Sequence, residues 1–416
     1  MFMGFTFYKD ELLRALKVLE PYAGHTQTDL DSEPYFGDKV VFGFYNRSCN
    51  LQVCHEDSQI SIFVPYFHDT PDSLFCMELK PLIKTLEHVN AQTLTFEEEP
   101  FFGFLVYSAW QEQKIFLFEI KAFSARKIKG YKISNSSSFE IRKSIFVSLL
   151  SDLYKYTNKD ELKPCNRYIW FYGNGEKYIA VATDGHKLSY RKGKTIINEN
   201  FSFAILGTEV PCLLETLNNV GERLILHSEL DNNIIYAYDR TTGAEINILH
   251  FLPDVTKRID LPKFIQGLKS ESVHSALVFY PEILNAVKRI SEIENNNELF
   301  LHFKNGHVNI HSYDEDFEQI SCSEFYETQS NIGDFIVRQN TKTLLLLLEN
   351  INTILVRFCV DSHGYLHIMN EREYIYRETD RFACGYTVGE NERKVVERKD
   401  FELAKYNENY RKKYFR

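Results

Sequence analysis

One short segment, 183–186, reads Thr-Asp-Gly-His and combines residue types that could perform acid–base chemistry. A carboxylate such as Asp184 that orients an imidazole such as His186 is a common arrangement for a general base. The base would need a nucleophile within hydrogen-bonding reach. The nearest downstream hydroxyl, Ser189, falls in what the residue alternation predicts to be the next strand. Because Asp and Gly together are typical of tight turns, the segment favours a structural turn over a catalytic site.

Histidines in the last third of the chain are the candidates for a metal site. Alternate strand positions put His307 and His311 on one face of a predicted strand. A zinc site needs three or four convergent ligands, usually with a thiolate or carboxylate among them. These two residues, like His302, His363 and His367, show no spacing of that kind. The chain also lacks a phosphate-binding glycine loop and paired catalytic carboxylates, so we predict no enzyme activity, no metal and no cofactor.

Length and composition exclude several classes of protein. The 416 residues are 44% hydrophobic and 25% charged, which is ordinary for a globular chain of two to three domains. We predict no membrane span, because no apolar run approaches the required length. We also predict no secretory signal, because the N-terminus has no basic region followed by a long apolar core. The eight cysteines contain no CxxC pair, which fits free thiols in the cytoplasm. A net charge of −10 excludes a protein that coats nucleic acid with its whole surface, but it permits a segregated basic face.

The chain repeats one pattern with a period of roughly 65 residues. In the first copy a short strand at Phe7 runs into an amphipathic helix with Leu12, Leu16 and Leu19 on one face. Alternating stretches separated by turns such as Asn305-Gly306 follow each helix and predict three strands. Further copies begin at Phe75, Ile141, Phe203, Val278 and Phe335. The sequence thus predicts an α+β fold made of six strand–helix–three-strand repeats.

Six repeats pair into three domains. The serine-rich stretch 134–138 and the polar segment 262–275 are the predicted boundaries. The predicted parts of the chain are a first domain at 1–134, a second at 139–260, a third at 272–388 and a charged tail at 389–416.

Three segments of the middle domain carry a resemblance to a known family. The segment 181–188, Val-Ala-Thr-Asp-Gly-His-Lys-Leu, resembles the Thr-Asp-Gly-His-Arg-Leu signature of bacterial sliding clamps, the DNA polymerase III beta subunits. Arg167-Tyr168-Ile169 resembles the start of a clamp strand, and 251–254 resembles the run that leaves the second clamp domain. With three repeated domains in register, the resemblance extends over about residues 5–388 and indicates a divergent sliding clamp.

The resemblance implies a ring-shaped processivity factor whose helices line a hole for double-stranded DNA and whose sheets lie outside. Such a ring slides because it contacts phosphates without reading sequence. Three domains make half of a ring, which implies a homodimer closed through edge strands near Ile115–Ile120 and in the third domain. The candidate DNA-binding residues are Arg14, Lys17, Lys80, Lys84, Arg142, Lys143, Arg167, Tyr168, Lys288, Arg289 and Lys342.

The resemblance also implies a hydrophobic cleft that captures short peptides from DNA polymerase and the clamp loader. Its residues here are Thr183, Gly185, His186, Leu188 and Pro253, with Arg258 as a looser match. Familiar clamps end on the last strand with a Met-Pro-Met-like sequence. This chain has Cys384-Gly385-Tyr386 there and continues for 28 residues beyond Val388, so the preferred peptide is expected to differ.

The tail and the function each leave alternatives open. Leu403, Tyr406, Tyr410 and Tyr414 fall on one helical face, so the tail is either a disordered end or a helix that docks on the body. Two other functions also fit the sequence. One is a monomeric DNA-binding processivity factor, and the other is a non-catalytic interaction scaffold that uses the cleft without binding DNA.

Overall fold

The structure is a computed structural model. It describes residues 4–23, 38–45, 48–54, 58–67, 74–99, 103–108, 111–117, 137–159, 162–174, 177–194, 201–228, 232–240, 243–251, 272–293, 298–314, 319–349, 351, 353–362, 364–370, 378–383, 386–387 and 405.

Six α-helices lie in these ranges, and each begins close behind a strand, as the sequence predicts. Their apolar faces are buried; Leu12, Leu16 and Leu19 of the first helix have no exposed surface. Asn340 caps the last helix by accepting a hydrogen bond from the Thr343 amide at 3.2 Å. The helices are Lys9–Leu19 (α1), Leu79–Glu87 (α2), Lys143–Leu153 (α3), Val210–Leu217 (α4), Tyr280–Ile293 (α5) and Thr341–Leu348 (α6).

The strands complete six repeats of strand, helix and three strands, which confirms the predicted order of elements. Strands of the first two repeats are Gly4–Tyr8 (β1), Lys39–Tyr45 (β2), Ser48–Cys54 (β3), Ser58–Pro65 (β4), Leu74–Glu78 (β5), Thr93–Glu99 (β6), Gly103–Ser108 (β7) and Gln111–Leu117 (β8). Those of the middle two are Ser137–Arg142 (β9), Tyr168–Asn174 (β10), Lys177–Thr183 (β11), Lys187–Lys194 (β12), Phe201–Leu206 (β13), Arg223–Ser228 (β14), Asn232–Tyr238 (β15) and Glu245–Phe251 (β16). Those of the last two are Ser272–Phe279 (β17), Glu298–Lys304 (β18), His307–Asp314 (β19), Gln319–Ile332 (β20), Phe335–Asn340 (β21), Leu355–Asp361 (β22), Leu366–Asn370 (β23) and Glu378–Ala383 (β24), and a short β25 follows at Tyr386–Thr387.

The first strand of a repeat pairs with its neighbouring repeat rather than with its own. β1 pairs antiparallel with β6 and β5 with β2, so repeats 1 and 2 each complete the other's sheet. β9 pairs with β14, β17 with β22 and β21 with β18 in the same manner. This exchange supports the pairing of repeats, while the predicted limits of three domains stay a prediction, because 118–136 and 252–271 lie outside the described residues.

The chain divides into two compact bodies. The first comprises Met1–Ser151, Gly173–Gly175 and Thr195–Arg258. It contains a four-stranded sheet, β1-β6-β7-β8, and an eight-stranded sheet, β5-β2-β3-β4-β16-β15-β14-β9. Its core includes a cluster of phenylalanine rings, in which Phe5 lies 4.7 Å from Phe44 and 5.6 Å from Phe96 between ring centroids.

The second body comprises Asp152–Tyr172, Glu176–Lys194 and Ile259–Arg416. Its strands run in the order β10-β11-β12-β24-β23-β22-β17-β20-β19-β18-β21-β25. The rings of Phe303 and Phe335 stack at 4.5 Å in its core, and Phe358 lies 5.4 Å from Phe303. None of the helices in the described ranges is long and apolar enough to cross a membrane.

Candidate functional site

The Thr-Asp-Gly-His segment forms the predicted turn between β11 and β12, in the second body. The Thr183 hydroxyl donates to the Lys187 carbonyl at 2.9 Å and accepts from the Gly185 amide at 3.0 Å. The Asp184 carboxylate accepts from the backbone amides of His186 and Lys187, each at 2.9 Å, and pairs with the Lys187 ammonium. Asp184 therefore holds the backbone of His186 rather than its imidazole, which is the arrangement of a turn and not of a general base.

Gly185 is required by the shape of this turn. Its φ of +92° lies in the left-handed region that L side chains rarely adopt. A Cβ at this position would also lie 3.0 Å from the Asn166 amide nitrogen, so the segment that precedes β10 packs directly against the turn. A substitution at Gly185 would thus strain the turn as well as change its surface, whereas His186 next to it is exposed.

The charge of Asp184 stabilises the turn. Burial alone raises the pKa of this carboxyl, but the hydrogen bonds from the Lys187 side chain and from the amides of Lys187 and His186 outweigh it, so the pKa is lowered. A carboxyl with a lowered folded-state pKa stabilises the protein above its unfolded pKa of about 3.9, and this stability is lost as the pH falls through the folded pKa.

We expect Asp184→Asn to lower the free energy of unfolding by about 1–2 kcal/mol at neutral pH, because the bonds to a charged acceptor are lost. The difference from wild type should shrink as the pH falls below the unfolded pKa of about 3.9 and on through the lowered folded-state pKa, where the native carboxyl becomes protonated. Urea unfolding at a series of pH values measures this, with the exposed Asp38→Asn as the matched control. A difference that is constant from neutral to acidic pH would contradict the assigned role.

Leu188, the predicted cleft residue that lies in β12, is a core residue. Its side chain is only 2% exposed, and in β12 it lies between Thr183 of β11 and Phe382 of β24. Ser189 also lies in β12, as predicted. The structure therefore brings Thr183, Gly185, His186 and Leu188 together around one turn, while Pro253 and Arg258 lie outside the described residues.

The predicted DNA-binding cations differ in their partners. Lys17 on α1 pairs with Glu87 on α2 at 2.6 Å, and Arg289 on α5 donates to both carboxylate oxygens of Glu324, at 3.2 and 2.6 Å. The Lys143 ammonium donates to the Val220 carbonyl at 2.8 Å. These three charges are already engaged within the protein, which reduces what each can offer to a phosphate.

The other predicted DNA-binding residues differ in exposure. Lys80 and Lys84 on α2, Arg142 at the end of β9, Lys288 on α5 and Lys342 on α6 have exposed side chains. Arg14 on α1 is half-buried. Arg167 ends a 3-10 turn, and Tyr168, which begins β10, is 6% exposed with its ring 5.7 Å from that of Trp170. Tyr168 consequently offers little surface to a ligand.

A groove in the first body lies between α1 and two turns of the fourth repeat, one after α4 and one after β15. Its volume is about 520 Å³. Residues that line it include Asp10, Arg14, Lys17, Asn219, Asp239 and Arg240. Arg240 was not among the predicted cations, because it lies in the turn after β15 and no local pattern links that turn to α1.

The histidines are engaged in pairs rather than in a cluster. His302 Nε2 lies 2.9 Å from Asp334 Oδ1, and His367 Nε2 lies 3.1 Å from Asp361 Oδ2. His307 Nδ1 contacts the Asn305 carbonyl at 2.9 Å, and His363 lies outside the described residues. In the described part of the chain, no three His, Cys, Asp or Glu side chains come together as metal ligands would.

Solved structures that resemble this chain include DNA sliding clamps. The DNA polymerase III subunit beta from Pseudomonas aeruginosa superposes with a TM-score of 0.74 at 16% identity, covering 92% of this chain and 100% of that one. The DNA polymerase sliding clamp from Bacillus subtilis gives a TM-score of 0.74 at 14% identity, with 94% and 100% covered. The DNA polymerase III beta subunit from Thermotoga maritima gives 0.70 at 13% identity, also with 94% and 100% covered.

The chain therefore has the fold of the DNA sliding clamps, as the sequence predicts. More particularly, it is the α+β fold of the DNA polymerase III beta subunits, in a sequence that is only 13–16% identical to theirs. No protein-family model and no curated protein matches the sequence.

Proposed function

We propose that the protein is a DNA sliding clamp, a non-catalytic and cytoplasmic processivity factor. Two copies form a ring around double-stranded DNA, and the ring tethers DNA polymerase after a clamp loader has placed it. The observation that carries this proposal is the sixfold repeat, whose fold matches known clamps over 92–94% of the chain and their full length. A ring suits this role because it keeps hold of DNA through topology and needs only weak, sequence-independent phosphate contacts.

Strand pairing inside each body supports a specific way to close the ring. In the first body, β4 of repeat 1 pairs antiparallel with β16 of repeat 4. In the second body, β12 of repeat 3 pairs antiparallel with β24 of repeat 6. Each junction thus joins the last strand of an odd repeat to the last strand of an even repeat.

Among the six last strands, the two that take part in neither junction are β8 of repeat 2 and β20 of repeat 5. β8 ends the four-stranded sheet, and β7 is its one neighbour among the described strands. In β20, residues 319–327 pair with β19, while β17 pairs only with residues 328–332. We therefore propose that β8 of one copy pairs with residues 319–327 of the other, head to tail and twice per ring. The sequence predicted the contact near Ile115–Ile120. The proposal places it on β8, which ends at Leu117, because 118–120 lie outside the described residues.

A topological assay tests the proposed function. The protein, a clamp loader and ATP are incubated with nicked circular DNA, and retention is measured by gel filtration before and after the circle is linearised. A ring remains on the circle and is lost from the linear form. A monomeric processivity factor would remain on both, and an interaction scaffold would be retained on neither.

The turn between β11 and β12 is the proposed site for polymerase peptides. Thr183, Gly185, His186 and Leu188 would form its edge, with Pro253 and Arg258 as further candidates. The exposed His186 beside a turn fixed by Asp184 and Gly185 supports this assignment, because a rigid edge costs little ordering entropy when a peptide binds.

A further inference from the structure

We propose that the groove between α1 and the two turns of the fourth repeat binds the phosphodiester backbone of duplex DNA, and that Arg240 is one of its DNA-binding residues. This inference rests on the proposed clamp function and assigns a particular contact within it. The site would hold the backbone in one place on the first body, beyond the diffuse attraction of exposed lysines.

Two arginines give the groove cationic groups for an anion to bind. Arg14, Lys17 and Arg240 line it, against Asp10 and Asp239. Asp239 is only 4% exposed, while Arg240 is exposed. Neither Arg14 nor Arg240 forms an ion pair with another described residue, in contrast to Lys17 and Arg289. Two uncommitted guanidinium groups at one groove match a phosphate, which accepts paired hydrogen bonds from arginine.

Polar side chains extend the same surface. Asn218 and Asn219 also line the groove, and both are exposed. Amide side chains donate hydrogen bonds to phosphate and sugar oxygens without reading base sequence. A volume of about 520 Å³ is ample for one phosphate with its flanking sugars.

Hydrogen bonds fix the walls of the groove relative to each other. The Arg240 amide donates to the Asn219 carbonyl at 3.1 Å, and the Gly221 amide donates to the Tyr238 carbonyl at 2.8 Å, so the two turns are tied together. The Thr216 hydroxyl donates to the Val18 carbonyl at 3.4 Å, which links α4 to the end of α1. Arg240 is therefore presented from a fixed turn, and such preorganisation strengthens binding.

The test compares Arg240→Gln with Arg223→Gln. Both variants remove one exposed arginine from the first body, but Arg223 pairs with Glu140 at 2.6 Å and lies outside the groove. Equilibrium binding of the full-length protein to a short fluorescein-labelled duplex, onto whose free ends a ring can thread, is measured by anisotropy at salt concentrations between about 50 and 200 mM. The salt slope of log K is expected to become shallower by about 0.9 in Arg240→Gln, the value for one phosphate contact, and to stay unchanged in Arg223→Gln.

The outcomes separate this inference from the proposed function. If the wild type binds DNA and the two variants have equal slopes, the groove is not a phosphate site, although the clamp function stands. If the wild type shows no DNA binding and no retention on circles, the proposed function fails and the groove assignment fails with it. Equal melting temperatures for the two variants would show that a shallower salt slope of log K does not reflect unfolding.

Discussion

A proline in strand β8 is expected to convert the proposed dimer into a folded monomer that no longer remains on circular DNA. The two variants are Ile115→Pro and Phe116→Pro. In β8, Ile115 lies opposite Val106 and Phe116 lies opposite Leu105 of β7. Successive residues of an antiparallel strand alternate between pairs that exchange hydrogen bonds and pairs whose N–H and C=O groups point away.

One of the two prolines therefore removes an N–H that bonds to β7, and the other removes an N–H that points to the open edge. Proline is tolerated at an edge strand when its missing N–H faces outward, so this second variant should keep its melting temperature. It should nevertheless fail to pair with residues 319–327 of the other copy, since the ladder loses a donor and meets the proline ring.

Light scattering measures the oligomeric state and thermal unfolding measures the melting temperature. Both are run on the two proline variants and on Ile115→Ala and Phe116→Ala. The alanine variants keep the backbone donor and should remain dimeric. A wild-type monomer at micromolar concentration would contradict the ring. Dimers in both proline variants would show that β8 is not the closing edge.

The second large effect is expected from Leu188→Ala. A leucine that is 2% exposed should lose about 2–5 kcal/mol of folding free energy when it is truncated to alanine. If Leu188 also supports the peptide site, binding of a fluorescein-labelled polymerase peptide should weaken by roughly 2 kcal/mol or more, because such sites depend on a few anchors.

Leu301→Ala is the matched control for this variant. Leu301 is a fully buried leucine in β18 of the same body, and it pairs with Ile310 and Val337 rather than with the turn. Its truncation should lower stability by a comparable amount and leave peptide affinity unchanged. Equal peptide affinities in the two variants would remove Leu188 from the proposed cleft and leave it as a core residue.

The order of elements could be predicted from the sequence because it depends on local patterns. Each repeat starts with alternating residues that change to helical spacing, as from Phe7 to Leu19, and this change depends only on neighbours in the chain. Six such changes at nearly even intervals predicted the repeats. Together with the Thr-Asp-Gly-His turn, whose Asp and Gly fix its shape locally, they predicted the clamp fold that the comparisons support.

What the side chains can do was decided by tertiary structure. The sequence treats Arg14, Lys17, Lys143 and Arg289 alike, as basic residues on or beside helices. The last three have partners in other elements: Glu87 for Lys17, the Val220 carbonyl for Lys143 and Glu324 for Arg289. Such partners lie many residues away in the chain, and no local spacing encodes them.

The sequence by itself determined the repeats, the turn and the residue types available to each repeat. The tertiary structure decided that Leu188 is a core residue, that β8 has one neighbour among the described strands, and that Arg240 shares a groove with Arg14. The reason is physical. Helix and turn formation depends on contacts within a few residues, whereas burial, ion pairing and strand edges depend on which distant segments pack together.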